Sequence, residues 1–271
     1  MNPSIADPSA LIQIDEYHEH LVEVGRSRHT IKAYTRDLVN FAEFTRLPLW
    51  PAPANLEGLI QRWLASRRRL GDAVVSLRRR IFAVKSYYHY AGIPQLLESI
   101  VVPKTQWYMP KVMSTPEVER LMAELSQTDP EAFSLYRLIL LSGFKFEEIY
   151  RLQLTEEDLK ARRVRVVDDR DQTREVVIGE VSAFILDSYL ATGGKWKQSK
   201  SRFAKALQVA GAIAGIKNAT SHILRATCAA RLLAAGHPKV FVKANMGYAS
   251  QTTIDMIAKV SKRDLVDDFH F

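Results

Sequence analysis

S-H-I-L-R-A-T-C-A-A-R-L-L-A-A-G, residues 221–236, is the stretch from which the fold can be read. Its apolar residues predict a helix over about His222 to Ala235. The i, i+3 spacing then puts His222 and Arg225 on one face of that helix. An imidazole beside a guanidinium suits a phosphate. An isolated H-x-x-R also occurs as plain structure, so the surroundings have to decide. From Ser188 to Ile254 there is no Asp or Glu, while ten Lys or Arg occur, among them Lys200, Arg202 and Lys243. At ordinary frequency that stretch would hold about seven acids. Acids are what a surface facing phosphates must avoid.

Upstream lie S-G-F-K-F-E-E-I-Y-R-L (residues 142–152) and two β-branched runs, 163–167 and 174–178. An Asp-rich segment joins the two runs, which predicts a β-hairpin or a pair of short strands. Downstream lies M-G-Y-A-S-Q-T-T-I-D-M (residues 246–256). Further helices are expected at about 116–126, 130–141, 146–152, 181–191, 199–214, 238–246 and 252–260. A short capped turn is expected at 155–158, and Ser114 with Glu117 makes a good helix start.

The first 100 residues read as a four-helix bundle: about 9–24, 31–45, 55 or 57 to 70, and 73–91. Ser27 to Thr30 supply the cap of the second helix, and a proline-rich break spans 48–53. Residues 98–113 hold two prolines and no helical period, as a linker would. The expected domains are 1–100 and 114–271, with a linker at 101–113.

Hydrophobic residues make up 47% of the 271 and charged residues 25%, enough for a packed core and against global disorder. No run approaches the roughly 18 apolar residues of a membrane span. Residues 1–10 lack the pattern of a secretory signal. Cys228 is the only cysteine, which excludes an internal disulfide and a cysteine-built zinc site and fits a reducing cytosol. His18 and His20 point to different faces of a helix and are not expected to bind metal. Gly193-Gly194-Lys195 lacks the spacing of a phosphate-binding loop. No cofactor and no metal are expected. The net charge is +8, and it is clustered: seven Arg and one Lys lie between Arg62 and Lys85 against a single acid, Asp72. Arg67 to Arg69 and Arg78 to Arg80 read either as solvated helix faces or as DNA contacts.

Taken in order, these segments resemble the tyrosine recombinase (phage integrase) family of Xer-like proteins. That family's patterns are T-G-x-R-x-x-E-L, a hairpin bearing a lysine, H-x-x-R with L-x-x-x-G, then L-G-H-x-S and T-T-x-x-Y. The N-terminal bundle is similar to the family's core-binding domain, through S-R-H-T-I-K-A-Y-T-R-D-L (residues 27–38) and residues 78–88. The resemblance covers nearly the whole chain. It implies a mainly α fold with a small β-hairpin, built as a core-binding bundle plus a catalytic-type domain.

Family members cut DNA with a tyrosine that forms a phosphotyrosyl bond, while arginines, a lysine and imidazoles hold the transition-state charge. Carried over, the resemblance places Lys145 where the first arginine belongs, keeping charge but losing the bidentate fork. Asp169 or Arg170 is the nearest match to the hairpin lysine, and Asp168, Asp169 and Asp171 would repel a phosphate. His222 and Arg225 match H-x-x-R. Tyr248 replaces the second imidazole. Met256 stands at the nucleophile, and a thioether has no proton to lose. Tyr248 lies eight residues earlier, roughly 12 Å if helical, and is the alternative nucleophile.

The resemblance therefore implies a protein that binds double-stranded DNA without cutting it. Two domains would close on a duplex as a clamp, in an architectural, regulatory or non-cleaving role. The alternatives are an active, divergent recombinase using Tyr248, and an interaction remnant that no longer binds DNA. The expected DNA-contacting residues are Arg28, His29, Lys32, Arg36, Arg67, Arg68, Arg78, Arg79, Arg80, Lys85, Lys145, Lys200, Arg202, His222, Arg225 and Lys243. A second copy or an active recombinase is the expected protein partner, docked through a tail ending in Phe269 and Phe271. A cytoplasmic, nucleoid-associated location goes with this reading.

Overall fold

The structure of the chain, a computed structural model, describes residues 6–104, 109–167 and 172–264, with the side chains of residue 96 and of 261–264 left out. It divides into two units, Met1–Trp107 and Tyr108–Phe271.

Unit 1 holds α1 (Pro8–Glu23), α2 (Arg28–Thr45), α3 (Leu56–Arg69), α4 (Val74–Tyr90) and a 3-10 turn, Pro94–Leu97. Side-chain caps set the starts of α1 to α3. Asp7 accepts from the Ser9 amide (2.9 Å), Ser27 from Thr30 (3.2 Å) and Asn55 from Gly58 (3.2 Å). Because Ser27 is the cap, α2 opens at Arg28, nearly a turn before its apolar period begins. Tyr17, Leu38, Phe41, Trp63, Ile81 and Tyr88 fill the core. The proline-rich break is held from both sides. Gln13 accepts from the Leu49 and Trp50 amides (both 2.9 Å), and the Tyr88 hydroxyl donates to the Leu49 carbonyl (3.0 Å).

Unit 2 holds α5 (Thr115–Thr128), α6 (Pro130–Ser142), α7 (Phe146–Tyr150), α8 (Glu156–Ala161), β1 (Arg163–Val167), β2 (Thr173–Val177), α9 (Glu180–Ala191), α10 (Lys200–Ile213), α11 (Ser221–Ala234), α12 (Lys239–Met246) and α13 (Gln251–Asp264). The expected capped turn at 155–158 continues as the helix α8, started by a reciprocal Thr155–Asp158 capping box. The strands pair antiparallel, Arg163 opposite Val177 and Val167 opposite Thr173, so β2 begins one residue earlier than its β-branched run.

The opening motif is the centre of this unit. Ile223 to Ala230 are all buried, so α11 is covered on every side. Its Ala226, Ala229 and Ala230 pack in one cluster with residues of α12 and α13, while Ile223 and Leu224 join the core that α6 lines. The Thr227 hydroxyl accepts from the Met113 amide (3.0 Å) and anchors the chain entering α5. No helix among the described residues is long and apolar enough to cross a membrane.

Candidate nucleic-acid interface

The pocket of unit 2 is built where the α6–α7 turn, β2 and the C-terminus of α12 meet α11. Gly143 ends α6 in the left-handed region (φ 72°), as a helix C-cap glycine does. A Cβ there would strike the Met246 thioether, so the site also demands the absence of a side chain. The turn aims the Gly143 carbonyl at Arg225, whose Nε donates to it (3.0 Å), and Arg225 Nη2 donates to the Met246 carbonyl. The Tyr248 ring lies against the guanidinium, 5.1 Å from its centroid to Cζ. Arg225 is thus buried and structural in its contacts. Burial pulls its pKa below the ordinary arginine value, with Tyr248 and Glu148 opposing. Cys228, one turn further along α11, is buried too, and burial pushes its thiol up to about 12.

Lys145 sits at the start of α7 with its side chain one-third exposed. Its amide donates to Glu148 (2.6 Å) and its Nζ lies 3.7 Å from the same carboxylate. Glu148 also takes a bidentate grip from Arg174, Nε at 3.1 Å and Nη2 at 2.6 Å. The carboxylate is almost wholly buried, so the pairing offsets a desolvation cost that a lone charge could not survive. Arg174 Nη1 donates to the Asn245 carbonyl, and the Asn245 side chain accepts from the Val177 amide (2.7 Å). Gly247 makes room for this. It has φ 62°, and a Cβ there would run into the Arg174 side chain. That accounts for the glycine in M-G-Y.

Arg174 was not among the expected site residues. The signal was alternation: it shares parity with Val176 and Ile178, the inward face of β2, and pairs with inward-facing Val166. A charge on that face needs a partner. Asp168, Asp169, Arg170 and Asp171 lie outside the described residues, as do Phe269 and Phe271 of the tail.

His222 is exposed at the first turn of α11, beside the buried Arg225. Tyr248 is half-buried, and burial raises its phenol pKa while Arg225 opposes the shift. Met256 lies half-buried on α13 between the core residues Ile254 and Ile257. Lys200 pairs with Glu147 and lies over the Tyr150 ring (4.9 Å), Arg202 is exposed and Lys243 is half-buried.

In unit 1 the expected residues other than Arg68 fall into three groups. Arg28, His29, Lys32 and Arg36 are all exposed on α2, and the i, i+4, i+8 positions form one stripe. Arg67, Arg79 and Arg80 are instead tied to carboxylates. Asp37, fully buried, accepts from Arg79 (2.7 and 3.0 Å) and from Arg80 (2.8 Å). Asp72 accepts from Arg80 (2.8 Å) and twice from Arg67 (3.0 Å each). This network links α2, α3 and α4. The third group reaches the outgoing chain: Arg78 donates to the Pro103 carbonyl and Lys85 to that of Ile100 (3.1 Å). Arg68 is exposed at the end of α3.

Two family models match the chain: the phage integrase N-terminal SAM-like domain over residues 14–92 and the phage integrase family over residues 111–262. The tyrosine recombinase XerD of Halalkalibacterium halodurans is 28% identical across 93% of this chain and 95% of that protein. In fold, the chain is similar to a lambda integrase dimer bound to a COC' core site (TM-score 0.71, 14% identity, 90% of this chain and 93% of that one). It is also similar to the XerH recombinase in a post-cleavage complex with palindromic difH (TM-score 0.66, 15% identity, 88% and 78%).

Proposed function

From the premise that this chain belongs to the phage integrase family, we propose that it binds double-stranded DNA through both units and does not cleave it. The observation that carries the reading is Met256. It occupies the position at which the T-T-x-x-Y pattern has its nucleophile, and no proton transfer or phosphoester is open to a thioether. The state of the pocket supports it. Arg225 gives two of its donors to backbone carbonyls, and Glu148 is paired with both Lys145 and Arg174. Lys145 and His222 are the groups with exposure to meet a phosphate. On this reading the protein is an architectural or regulatory factor, or a non-cleaving subunit beside an active recombinase or a second copy. Its place of action is the nucleoid.

The second reading, a relocated nucleophile at Tyr248, is favoured by one contact, that ring's position against Arg225. A raised phenol pKa weighs against it, because the attacking species is the phenolate. Mobility shifts on nicked duplexes, with half of each sample denatured in detergent, separate the two. Shifts that vanish in detergent are expected. A detergent-resistant adduct, lost in Tyr248→Phe, would overturn the non-cleaving reading. No shift at low salt would overturn DNA binding itself.

A further inference from the structure

On unit 1, beside the turn between α1 and α2, lies a concavity of about 390 Å³ walled by Arg26, Tyr34, Phe82, Lys85, His89 and Glu98. Its size falls within the range of about 300–1,000 Å³ usual for small-molecule sites. Its chemistry is mixed in a particular way. Phe82, Lys85 and His89 follow one another on α4 at i, i+3 and i+7, a single helix face. Phe82 is 42% exposed there, an apolar ring held at a charged surface where it adds nothing to the core. The Arg78 guanidinium lies 5.6 Å from that ring. Across the hollow, Tyr34 of α2 is half-buried, with Arg26 close enough to act on its phenol electrostatically.

The charges are unbalanced. Arg26 and Lys85 carry two positive charges against the one of Glu98, and the His89 imidazole lines the same hollow. Lys85 spends one N–H on the Ile100 carbonyl, which leaves an ammonium two further donors. A bare anion has no use for the two rings, and an apolar ligand has none for the cations. We propose that this concavity binds a nucleotide, its phosphate held by Arg26, Lys85 and His89 and its base stacked on Phe82 and Tyr34. Aromatic faces stack on bases without needing a particular sequence. The site includes no residue of the exposed α2 stripe, but it shares Lys85 with the expected duplex contacts, so the variants below are made elsewhere in it. The nucleotide comes either free or as an unstacked unit of a DNA strand.

The test uses the full chain with deoxyadenosine 5′-monophosphate, deoxyadenosine and inorganic phosphate as probes. Calorimetry gives affinity, and saturation-transfer NMR reports which ligand protons touch the protein. The monophosphate is expected to bind with saturation reaching the base protons, and the nucleoside and phosphate to bind about tenfold more weakly or worse. Arg26→Gln and Phe82→Ala are each expected to weaken the monophosphate about tenfold, with unchanged urea midpoints excluding a folding defect. A phosphorylated single-stranded oligonucleotide that displaces the base-proton signal assigns the ligand to a strand, and failure to displace it assigns a free nucleotide. Phosphate binding as tightly as the nucleotide, or a Phe82→Ala variant that binds normally, would overturn the proposal. So would the absence of any saturation transfer at millimolar ligand. Duplex mobility shifts in the same variants keep this outcome separate from the duplex-binding reading, since neither residue belongs to the proposed duplex contacts.

Discussion

Asp37 shows what a single buried carboxylate does for unit 1. It is wholly enclosed and holds both Arg79 and Arg80, residues more than forty positions away. Removing its charge leaves Arg79 without its carboxylate and the buried Arg80 with Asp72 alone. Asp37→Asn is expected to destabilise the chain by about 3–5 kcal/mol, read from urea unfolding. Asp72, at the other end of the network, supplies a pH signature. Its hydrogen bond from Arg67, with help from Arg80, holds its carboxyl below the ordinary value. A depressed folded pKa means that the stabilisation is fully present above the unfolded value of about 3.9 and is lost as pH falls through the folded one. Urea midpoints measured below about pH 4 are therefore expected to fall less steeply with acid in Asp72→Asn than in the parent. Equal slopes would show that the pair contributes nothing to acid sensitivity.

At the scale of elements, α2 and α4 put similar basic residues to different uses. Both carry several basic residues, yet α2 turns Arg28, Lys32 and Arg36 outward while α4 turns Arg79 and Arg80 onto Asp37. Neutralising each α2 residue to Gln is expected to reduce the salt slope of duplex binding by about one, with unfolding unchanged. Arg79→Gln is expected to do the reverse, lowering stability and leaving the slope alone. A slope that drops in Arg79→Gln would place that side chain on the phosphates. The difference between the two helices was not legible beforehand, because the partner that decides it lies 42 residues away from Arg79. What was legible was local. Ser27 and Ser114 announce helix starts through their own side chains, and Thr155 the capped turn that the structure extends into α8. The hairpin follows from β-branched runs, and the buried α11 from its small and apolar residues. Arg174 sits between these cases. Its inward parity could be read from the strand, but its partner Glu148 could be assigned only once α7 was seen packed beside β2.

For the whole molecule, the sum of these contacts is electrostatic. On the proposed reading, a +8 chain with an acid-free stretch of 67 residues, 188–254, on one unit and an exposed basic stripe on the other would meet phosphates with each unit. With six to ten phosphate contacts, affinity is expected to fall by about 10³–10⁵ between 50 and 200 mM salt, on specific and random duplexes alike. A shallow salt dependence would mean that one unit binds alone. The two-unit organisation was legible in the sequence because proline-bearing segments without helical period separate the helical runs. The internally bonded pocket was not, since it depends on carbonyls of Gly143, Asn245 and Met246 whose directions are set by the tertiary fold.

Cys228 has a practical consequence at the bench. It is the chain's single sulfhydryl, it is 2% exposed, and burial keeps it in the unreactive thiol form. Alkylating dyes and spin labels will pass it by under native conditions. A cysteine introduced in place of an exposed residue such as Gln61 or Gln208 will therefore carry a label alone, on an otherwise unaltered background. Fluorescence transfer between one such position on each unit would follow the units during DNA binding without any residue having first to be removed.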